Sequence, residues 1–547
     1  MKRRRTSFAN RRQFLAQAGG LAAIAAGAPL GIGDATLLAE ELGPGKPNQR
    51  VADAYKLRHE AALFHKGLPI PPHGTNGDDT RYANAIGSFT KTLPHTADGV
   101  VLPEAYEALR HAMATADPAD FDVIPRGGAG KLANPQSSFA FQLDGSDSHH
   151  LGLRVPPSFA SAEIAGEMEE VYWLALTRDV PHANYDVDAT VAAAANAVSH
   201  LSDFRGPKVA GAVTPGTIFR GNTPGELTGP FISQFLFKDV PYGPFVVPQK
   251  VRPGLAGVEY MTDYAAWLNV QNGSPAPVPP FQTVPAANAR YINDNRALSA
   301  YLRADFTSQG FINASLILNT FGLNALSPGN PYRSSLNQAG QGTFGGGEFI
   351  GMIAHACHVA LLACWFQKWA VHRRVRPEAF GGAIHNMKTT TARYDIHPEI
   401  LNSAVLTTIQ TKYGSYLLPM AYPEGSPAHP SYPAGHAAFA GAGTTMLKAF
   451  YNEAFVVPSP VVPSADGTTL VPYAGPPLAV GNELNKLASN IAIGRNASGV
   501  HWRSDGVEGM NLGEAAAIAV LQDLRQCYNE HFDGFAFTKF DGTPITI

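Results

Sequence analysis

The chain has 547 residues, 45% of them hydrophobic and 16% charged, which is enough apolar sequence to bury a large core. Its 41 basic and 44 acidic residues leave a formal charge of −3, so no long-range field attracts nucleic acid or an anionic membrane, and a small solute is the expected partner. The 54 glycines and 43 prolines require long connections between helices.

The first forty residues differ from the rest of the chain. Basic residues 1–12 precede an alanine- and glycine-rich, mildly apolar stretch that ends near Pro29, an order typical of an export signal. The run NRRQFL at residues 10–15 resembles a twin-arginine signal. We therefore expect residues 1–40 to be a twin-arginine export signal and the protein to be periplasmic or extracellular.

Residues 41–340 are expected to form an amino-terminal, mainly helical half. Apolar residues at helical spacing predict helices over residues 51–65, 103–114, 161–176, 189–204 and 288–308. Residues 205–290 are rich in proline, glycine and aromatic residues, which predicts a long ordered excursion with a short hairpin.

The glycine-rich stretch 340–347 predicts a boundary, after which residues 341–547 form a carboxy-terminal helical bundle. The helices predicted there cover residues 348–372, 433–451, 483–494 and 504–528. The run 349–366 is nearly long enough to span a membrane, but it carries His355 and His358, so a buried core helix is expected. Pro377 is expected to end the first of these helices.

Lys368 and Arg376 form the first of three patches that supply donors for a small oxyanion. They lie eight positions apart at a predicted helix end, so both can turn into one cavity. By itself this patch is a weak signal, because basic residues at a helix carboxyl terminus also complement its dipole. The neighbouring Arg373 and Arg374 are expected to be surface or interface charges at the helix end, although one of them could reach the rim of the site.

Ala434, Gly435 and His436 form the second patch, where a helix is expected to begin. Unpaired N–H groups and the positive dipole end make a helix start an anion site, and histidine there can give or take a proton. The third patch, GRNASGVHWRSD at residues 494–505, holds Arg495 and His501, with Asp505 placed to fix the tautomer of the imidazole.

In order and spacing, the three patches resemble the signature shared by vanadium-dependent haloperoxidases and the superfamily of type-2 phosphatidic acid phosphatases and bacterial acid phosphatases. Vanadate and phosphate have the same charge and shape. In the phosphatases the last histidine attacks phosphorus, whereas in the haloperoxidases it binds vanadium. The signature alone therefore leaves both functions open.

The rest of the chain favours the haloperoxidases. The runs FTKTLPHT at residues 89–96, EVYWLALTRDV at residues 170–180 and GPFISQFL at residues 229–236 look like bacterial and algal haloperoxidases, which are far longer than the phosphatases. The eight-residue step from Lys368 to Arg376, where phosphatases usually have seven, resembles the bromoperoxidase branch.

This resemblance implies a fold and a role for each residue of the signature. The fold would be mainly α-helical, with two four-helix bundles and long loops, and His501 would ligate vanadium(V), which acts as a Lewis acid. The vanadate oxygens would be bonded by Lys368, Arg376, the Gly435 amide and Arg495. Lys368 would also polarise bound peroxide, and His436 would act as acid and base during peroxide loading.

Three further positions bear on affinity and on the halide. The family's serine is Ala434 here, so one hydrogen bond to vanadate is lost. His429 resembles an extra histidine of the bromoperoxidase branch, and Trp365 resembles the tryptophan of chloro- and iodoperoxidases, so the halide side is a hybrid. His429 could equally be a loop histidine, and Trp365 a core aromatic residue.

We expect an enzyme that oxidises a halide, bromide or iodide before chloride, with hydrogen peroxide to hypohalous acid, which then halogenates a small organic substrate. Vanadate is the expected cofactor, nucleic acid and membrane are not expected partners, and a homo-oligomer is plausible because relatives form them. Two alternatives stay open. One is a phosphatase with His501 as nucleophile, and the other is a non-catalytic, exported oxyanion-binding protein.

Overall fold

The computed structural model describes residues 47–547, and the expected export signal lies outside them. The helices are α1 (Pro47–Lys66), α2 (Asp78–Arg81), α3 (Pro103–Thr115), α4 (Pro118–Asp122), α5 (Ala162–Leu176), α6 (Ala189–Ser199), α7 (Tyr264–Gln271), α8 (Asn295–Ala304), α9 (Gln309–Asn319), α10 (Gly346–Trp365), α11 (Pro377–Thr389), α12 (Pro398–Leu401), α13 (Ala404–Tyr413), α14 (Gly435–Phe450), α15 (Val480–Ala497) and α16 (Arg503–Arg525). A π-helical segment, Phe366–His372, continues α10.

Strands are short and pair only within hairpins in the described part of the chain. The antiparallel pairs are β1 (Val240–Tyr242) with β2 (Phe245–Val247), β3 (Val461–Pro463) with β4 (Leu470–Pro472), and β5 (Ala536–Thr538) with β6 (Pro544–Thr546). The mainly α-helical prediction is confirmed, and the predicted excursion over residues 205–290 contains β1, β2 and the unpredicted helix α7.

The chain divides into two compact units, one ending at Lys66, whose described part is α1, and one spanning Gly67–Ile547. The division proposed near residue 340 stays a prediction. Helix starts follow local chemistry: Ser161 accepts a hydrogen bond from the Ile164 amide and begins α5, and Asp294 accepts one from the Ala297 amide and begins α8.

The prediction that Pro377 ends a helix was wrong. The helical run from α10 through the π segment already ends at His372, and Pro377 occupies the first position of α11. Proline is favoured there because a first-turn N–H has no partner in the helix and the fixed φ suits the helix. This start places Arg376 directly in front of α11.

The second unit has two main apolar cores. One is built around α8, α9, α10, α14, α15 and α16, and the other around α5, α6, α11 and α13. The helix Gly346–His372 is the one stretch among the described residues that is long and apolar enough to cross a membrane, yet it packs into the first core through Phe349, Ile353 and Ala360.

Glycines bring α14 and α16 into backbone contact. A Cβ on Gly441 would lie 2.1 Å from the Met510 carbonyl oxygen, and one on Gly513 would lie 1.9 Å from that of Ala438. No larger residue fits at either position without separating the helices. The close approach brings the start of α14 beside the start of α16, where the Ala434 amide donates to the Asp505 carbonyl at 2.9 Å.

Candidate active site

His501 lies in the turn between α15 and α16, where the two cores meet, and is 1% exposed. Its Nδ1 lies 2.8 Å from Asp505 Oδ2, and its Nε2 lies 2.9 Å from Arg376 Nη1. Because arginine stays protonated and donates, Nε2 is the acceptor and Nδ1 carries the hydrogen that is donated to Asp505. His501 therefore presents a lone pair on Nε2, the form required of a metal ligand or a nucleophile.

Asp505 is held by several donors besides His501. The Ser431 hydroxyl and the Trp502 amide donate to Oδ2, and Arg374 Nη1 donates to Oδ1 at 2.8 Å. Arg374 also pairs with Glu167 at 2.9 Å and is 1% exposed. Arg374 is therefore not a surface charge but a buried partner of the residue that orients His501, closer to the alternative that one of the two arginines reaches the rim of the site.

The expectation of a surface charge was wrong for Arg373, whose side chain is 14% exposed and pairs with Asp79 at 2.8 Å. A sequence pattern cannot name partners as distant as Asp79 or Glu167. Ser431 carried no signal either, because a hydroxyl four positions before a helix has many possible uses.

Arg376 is fully enclosed by acceptors. Its Nη1 donates to the Val500 carbonyl at 2.7 Å, in addition to its contact with His501, while Nε and Nη2 donate to the His429 carbonyl. The remaining Nη2 hydrogen faces His429 Nδ1 at 2.9 Å. The guanidinium thus joins the turn before α16 to the loop before α14.

Lys368, on the π segment, is fully buried. Its Nζ donates to the carbonyls of Pro430 at 2.7 Å and Ser431 at 2.9 Å, so one of its three N–H groups remains for another acceptor. Burial lowers the pKa of Lys368 to about 7, and the positive charges of Arg376 and Arg495 act in the same direction.

His436 and Arg495 meet at the carboxyl end of α8. His436 Nε2 lies 3.0 Å from Asp305 Oδ1, and Arg495 Nη1 donates to the Leu302 carbonyl. Arg495 Nε is buried and has no hydrogen-bond partner within residues 47–547. Asp305 is a site residue that sequence reasoning missed. It directly follows α8, and it lies 131 positions from His436 in the chain.

Gly435, Trp365 and His429 lie together. A Cβ on Gly435 would be 3.2 Å from Trp365 Cζ3, and the rings of Trp365 and His429 are 4.9 Å apart. Burial, with the charges of Lys368 and Arg376, holds the pKa of His429 well below its usual value, so His429 is neutral at pH 7. Trp365 Nε1 donates to the Ala133 carbonyl at 3.0 Å, which fixes the ring.

The electrostatic character of this cluster is an excess of buried positive charge. Burial and then the charges of Arg376, Lys368, Arg495 and His436 hold the pKa of His501 well below its usual value, and burial lowers the pKa of Arg376 to about 9. Asp505 is shared with Arg374, and Asp305 is paired with His436. A bound anion would balance this charge, and the free donors on Lys368 and Arg495 suit an oxyanion.

The fold is mainly helical, and its buried cationic cluster has the donors that suit a small oxyanion. A family model described as the second helical-bundle domain of VCPO matches residues 348–530. A vanadium-dependent bromoperoxidase of Ascophyllum nodosum is 32% identical, with the match covering 92% of this chain and 93% of the relative. One from Corallina pilulifera is 30% identical, with 91% and 98% covered.

A solved structure, described as the homohexameric second vanadate-dependent bromoperoxidase of Ascophyllum nodosum, superposes with a TM-score of 0.88 at 31% identity, covering 94% of this chain and 93% of that one. The chain belongs to the vanadium-dependent haloperoxidase family.

Proposed function

We propose that this haloperoxidase binds vanadate and oxidises bromide or iodide with hydrogen peroxide. The reaction consumes one halide ion, one peroxide and one proton, and it yields hypohalous acid and water. The observation that carries the proposal is the buried cluster in which Arg376 contacts the unprotonated Nε2 of His501 and the charges of Lys368 and Arg495 act on the same imidazole.

The residues present fit vanadate. His501 would bind vanadium through the Nε2 lone pair that accepts from Arg376 Nη1 in the free site, and the Nη1 N–H released in this way would donate to a vanadate oxygen. The other oxygens would accept from the third N–H of Lys368, from Arg495 Nε and from the Gly435 amide in the open first turn of α14. Bound vanadate supplies a Lewis acid that activates peroxide towards the halide. The protein contributes fixed charge, and Asp505 keeps Nε2 of His501 unprotonated.

His436 is proposed to take a proton from incoming peroxide and to return it to the departing oxygen. Burial and the charge of Arg495 lower the pKa of His436, while Asp305 opposes them, so the imidazole is a neutral base at pH 7. Asp305 at 3.0 Å then stabilises the imidazolium formed when the proton is taken.

Neutral His429 and the Trp365 ring are proposed to form the halide side of the site. Their contact at 4.9 Å makes one wall from a neutral imidazole and an indole beside Lys368. Such a wall suits a large, weakly hydrated anion, which favours bromide and iodide over chloride.

We also propose an oligomeric state, an organic substrate and an export route, from the relatives and from the expected export signal. The homohexameric solved relative supports a homo-oligomer. A small organic molecule is the proposed acceptor of the oxidised halogen. Export by the twin-arginine route is proposed from residues 10–15.

The test is oxidation of a bromide-dependent dye by the purified protein with peroxide, with and without orthovanadate, beside a phosphate-ester assay. We expect vanadate-dependent bromination and a loss of more than about 100-fold in His501→Ala, since removing even a residue behind a metal ligand costs about 10- to 100-fold. His531→Ala, whose side chain is 94% exposed, is the matched control. Phosphate-ester turnover without bromination would make His501 a phosphoryl acceptor and refute the proposal.

A further inference from the structure

A second buried lysine lies behind the halide side of the site. Lys91 is 6% exposed, and its Nζ donates to Glu378 Oε1 at 2.9 Å, to the Glu424 carbonyl at 2.9 Å and to the Ser426 carbonyl at 2.7 Å. These contacts use all three N–H groups of the ammonium. Lys91 is therefore saturated by the protein, whereas Lys368 is not.

Glu378 completes the attachment of the same loop. Its Oε2 accepts from the Ser426 amide at 2.5 Å, and it is 1% exposed. Gly425 has a φ of +63°, and a Cβ there would lie 2.1 Å from Glu378 Oε2, so glycine is required for the loop to come this close. The pair Lys91–Glu378 thus fixes residues 424–426 against the first turn of α11.

The fixed loop leads directly into the site. Three residues after Ser426 comes His429, and the next two carbonyls, those of Pro430 and Ser431, are the acceptors that hold Lys368. Arg376, two residues before Glu378, holds the His429 end of the loop. Arg376, directly in front of α11, and Glu378, in its first turn, therefore hold the loop at His429 and at Ser426.

We propose that Lys91 and Glu378 are positioning residues that set the loop 424–431, and through it the placement of His429 and of the Lys368 ammonium. Neither touches the anion or the halide. The inference rests on the proposed function for its kinetic readouts, while the placement of the loop is measurable without catalysis.

The chain offers a matched control pair. Lys486 and Glu483 are both 0% exposed and lie 2.6 Å apart. Lys486 Nζ donates to the Thr228 carbonyl, and Glu483 Oε2 accepts from the Gln234 amide. This pair therefore has the same chemistry and the same kind of loop contacts, but it binds residues 228–234 rather than 424–431.

The test compares Lys91→Met with Glu378→Leu in one protein against Lys486→Met with Glu483→Leu in another. Replacing both members of a pair leaves no unpaired buried charge, so both proteins are expected to fold. In the first we expect the dissociation constant of orthovanadate, measured by equilibrium dialysis without peroxide, and the KM for bromide each to rise about tenfold or more. In the control both should stay within about twofold of the parent.

Hydrogen exchange of the amides of residues 424–426, 428, 429 and 431 tests the placement of the loop separately from catalysis. Faster exchange there in the first protein but not in the control supports the positioning role, even if the parent were to show no bromide oxidation, which would refute only the proposed function. Unchanged exchange with an unchanged dissociation constant for orthovanadate would overturn the positioning role. Equal shifts in both proteins would overturn it as well.

Discussion

Two groups of buried cations lie near Asp505, which binds Arg374 directly and reaches Arg376 only through His501. In one group, Arg374 pairs with Glu167 and Asp505, and Arg503 pairs with Glu170. Despite burial, these carboxylates raise the pKa of both guanidinium groups.

In the other group, Lys368 and Arg376 contact carbonyls and imidazoles instead, and burial lowers the pKa of both. The difference separates charge that supports the fold from charge that is available to an anion. Charges of the first kind pair with carboxylates of the chain, whereas charges of the second kind contact only neutral acceptors, so an anion would balance them.

The largest expected effect breaks the paired group. Arg374→Met leaves Glu167 and Asp505 buried without their cation, which should lower the free energy of unfolding by about 3–5 kcal/mol. Urea unfolding measures the loss. Arg81→Met is the control, because Arg81 and Asp395 form an exposed pair, and it should change stability by less than about 1 kcal/mol. Equal losses would remove the distinction between buried and exposed pairs.

The next effect concerns the unpaired group. At orthovanadate one hundred times above its dissociation constant, the parent should gain about 2.7 kcal/mol of stability. Arg376→Met should abolish most of this gain and cost less stability than Arg374→Met in the absence of vanadate, because it also removes an unbalanced buried charge. Thermal and urea unfolding with and without orthovanadate measure both quantities. A full vanadate gain in Arg376→Met would contradict the assignment of Arg376.

A pH dependence sharpens the comparison. The pKa of Lys368 is about 7 in the folded protein against an ordinary value of 10.5, so between these values the unfolded chain holds a proton that the folded protein has released. Without vanadate, the free energy of unfolding should therefore rise as the pH is raised from 7 towards 10. Lys368→Met should reduce this slope. Bound vanadate should reduce it too, because an anion raises the pKa of the lysine; an unchanged slope in Lys368→Met would refute the shift.

The smallest effect concerns Ala434, which precedes α14 without a side-chain cap. Ala434→Ser adds one donor, and a single hydrogen bond contributes about 0.5–1.5 kcal/mol, so the dissociation constant of orthovanadate should fall by up to about tenfold. A serine that caps the helix instead would raise stability by about 1 kcal/mol and leave vanadate binding unchanged. Dialysis and unfolding of the same variant distinguish the two.

Much of the fold and of the candidate site was accessible from sequence, for different reasons. Helix periodicity located α3, α5 and α14 to within a few residues, because burial of one face imposes it. The effect of Pro377 could not be predicted from sequence, because proline suits the first turn of a helix as well as the position after its end. The three patches were joined by resemblance, and the structure brings their residues to one place.

The charged partners of the site residues could not be predicted from the sequence. Asp305 and Glu167 lie far from His436 and Arg374 in the chain, and nothing in their own neighbourhoods marks them. Lys91 lies in the run FTKTLPHT, but nothing in that run points to Glu378, the carboxylate it pairs with 287 positions away. Long-range charge pairing is decided by packing, which no local pattern records.

The π segment Phe366–His372 has a wider helical turn at the point where the chain carries the site residue Lys368. A wider turn takes up one additional residue without displacing the helices on either side, and such turns recur at functional sites. Here it lies between α10, which is fixed in the core, and Arg376. Lys368 lies within this segment, so the wider turn carries the lysine whose ammonium binds the Pro430 and Ser431 carbonyls.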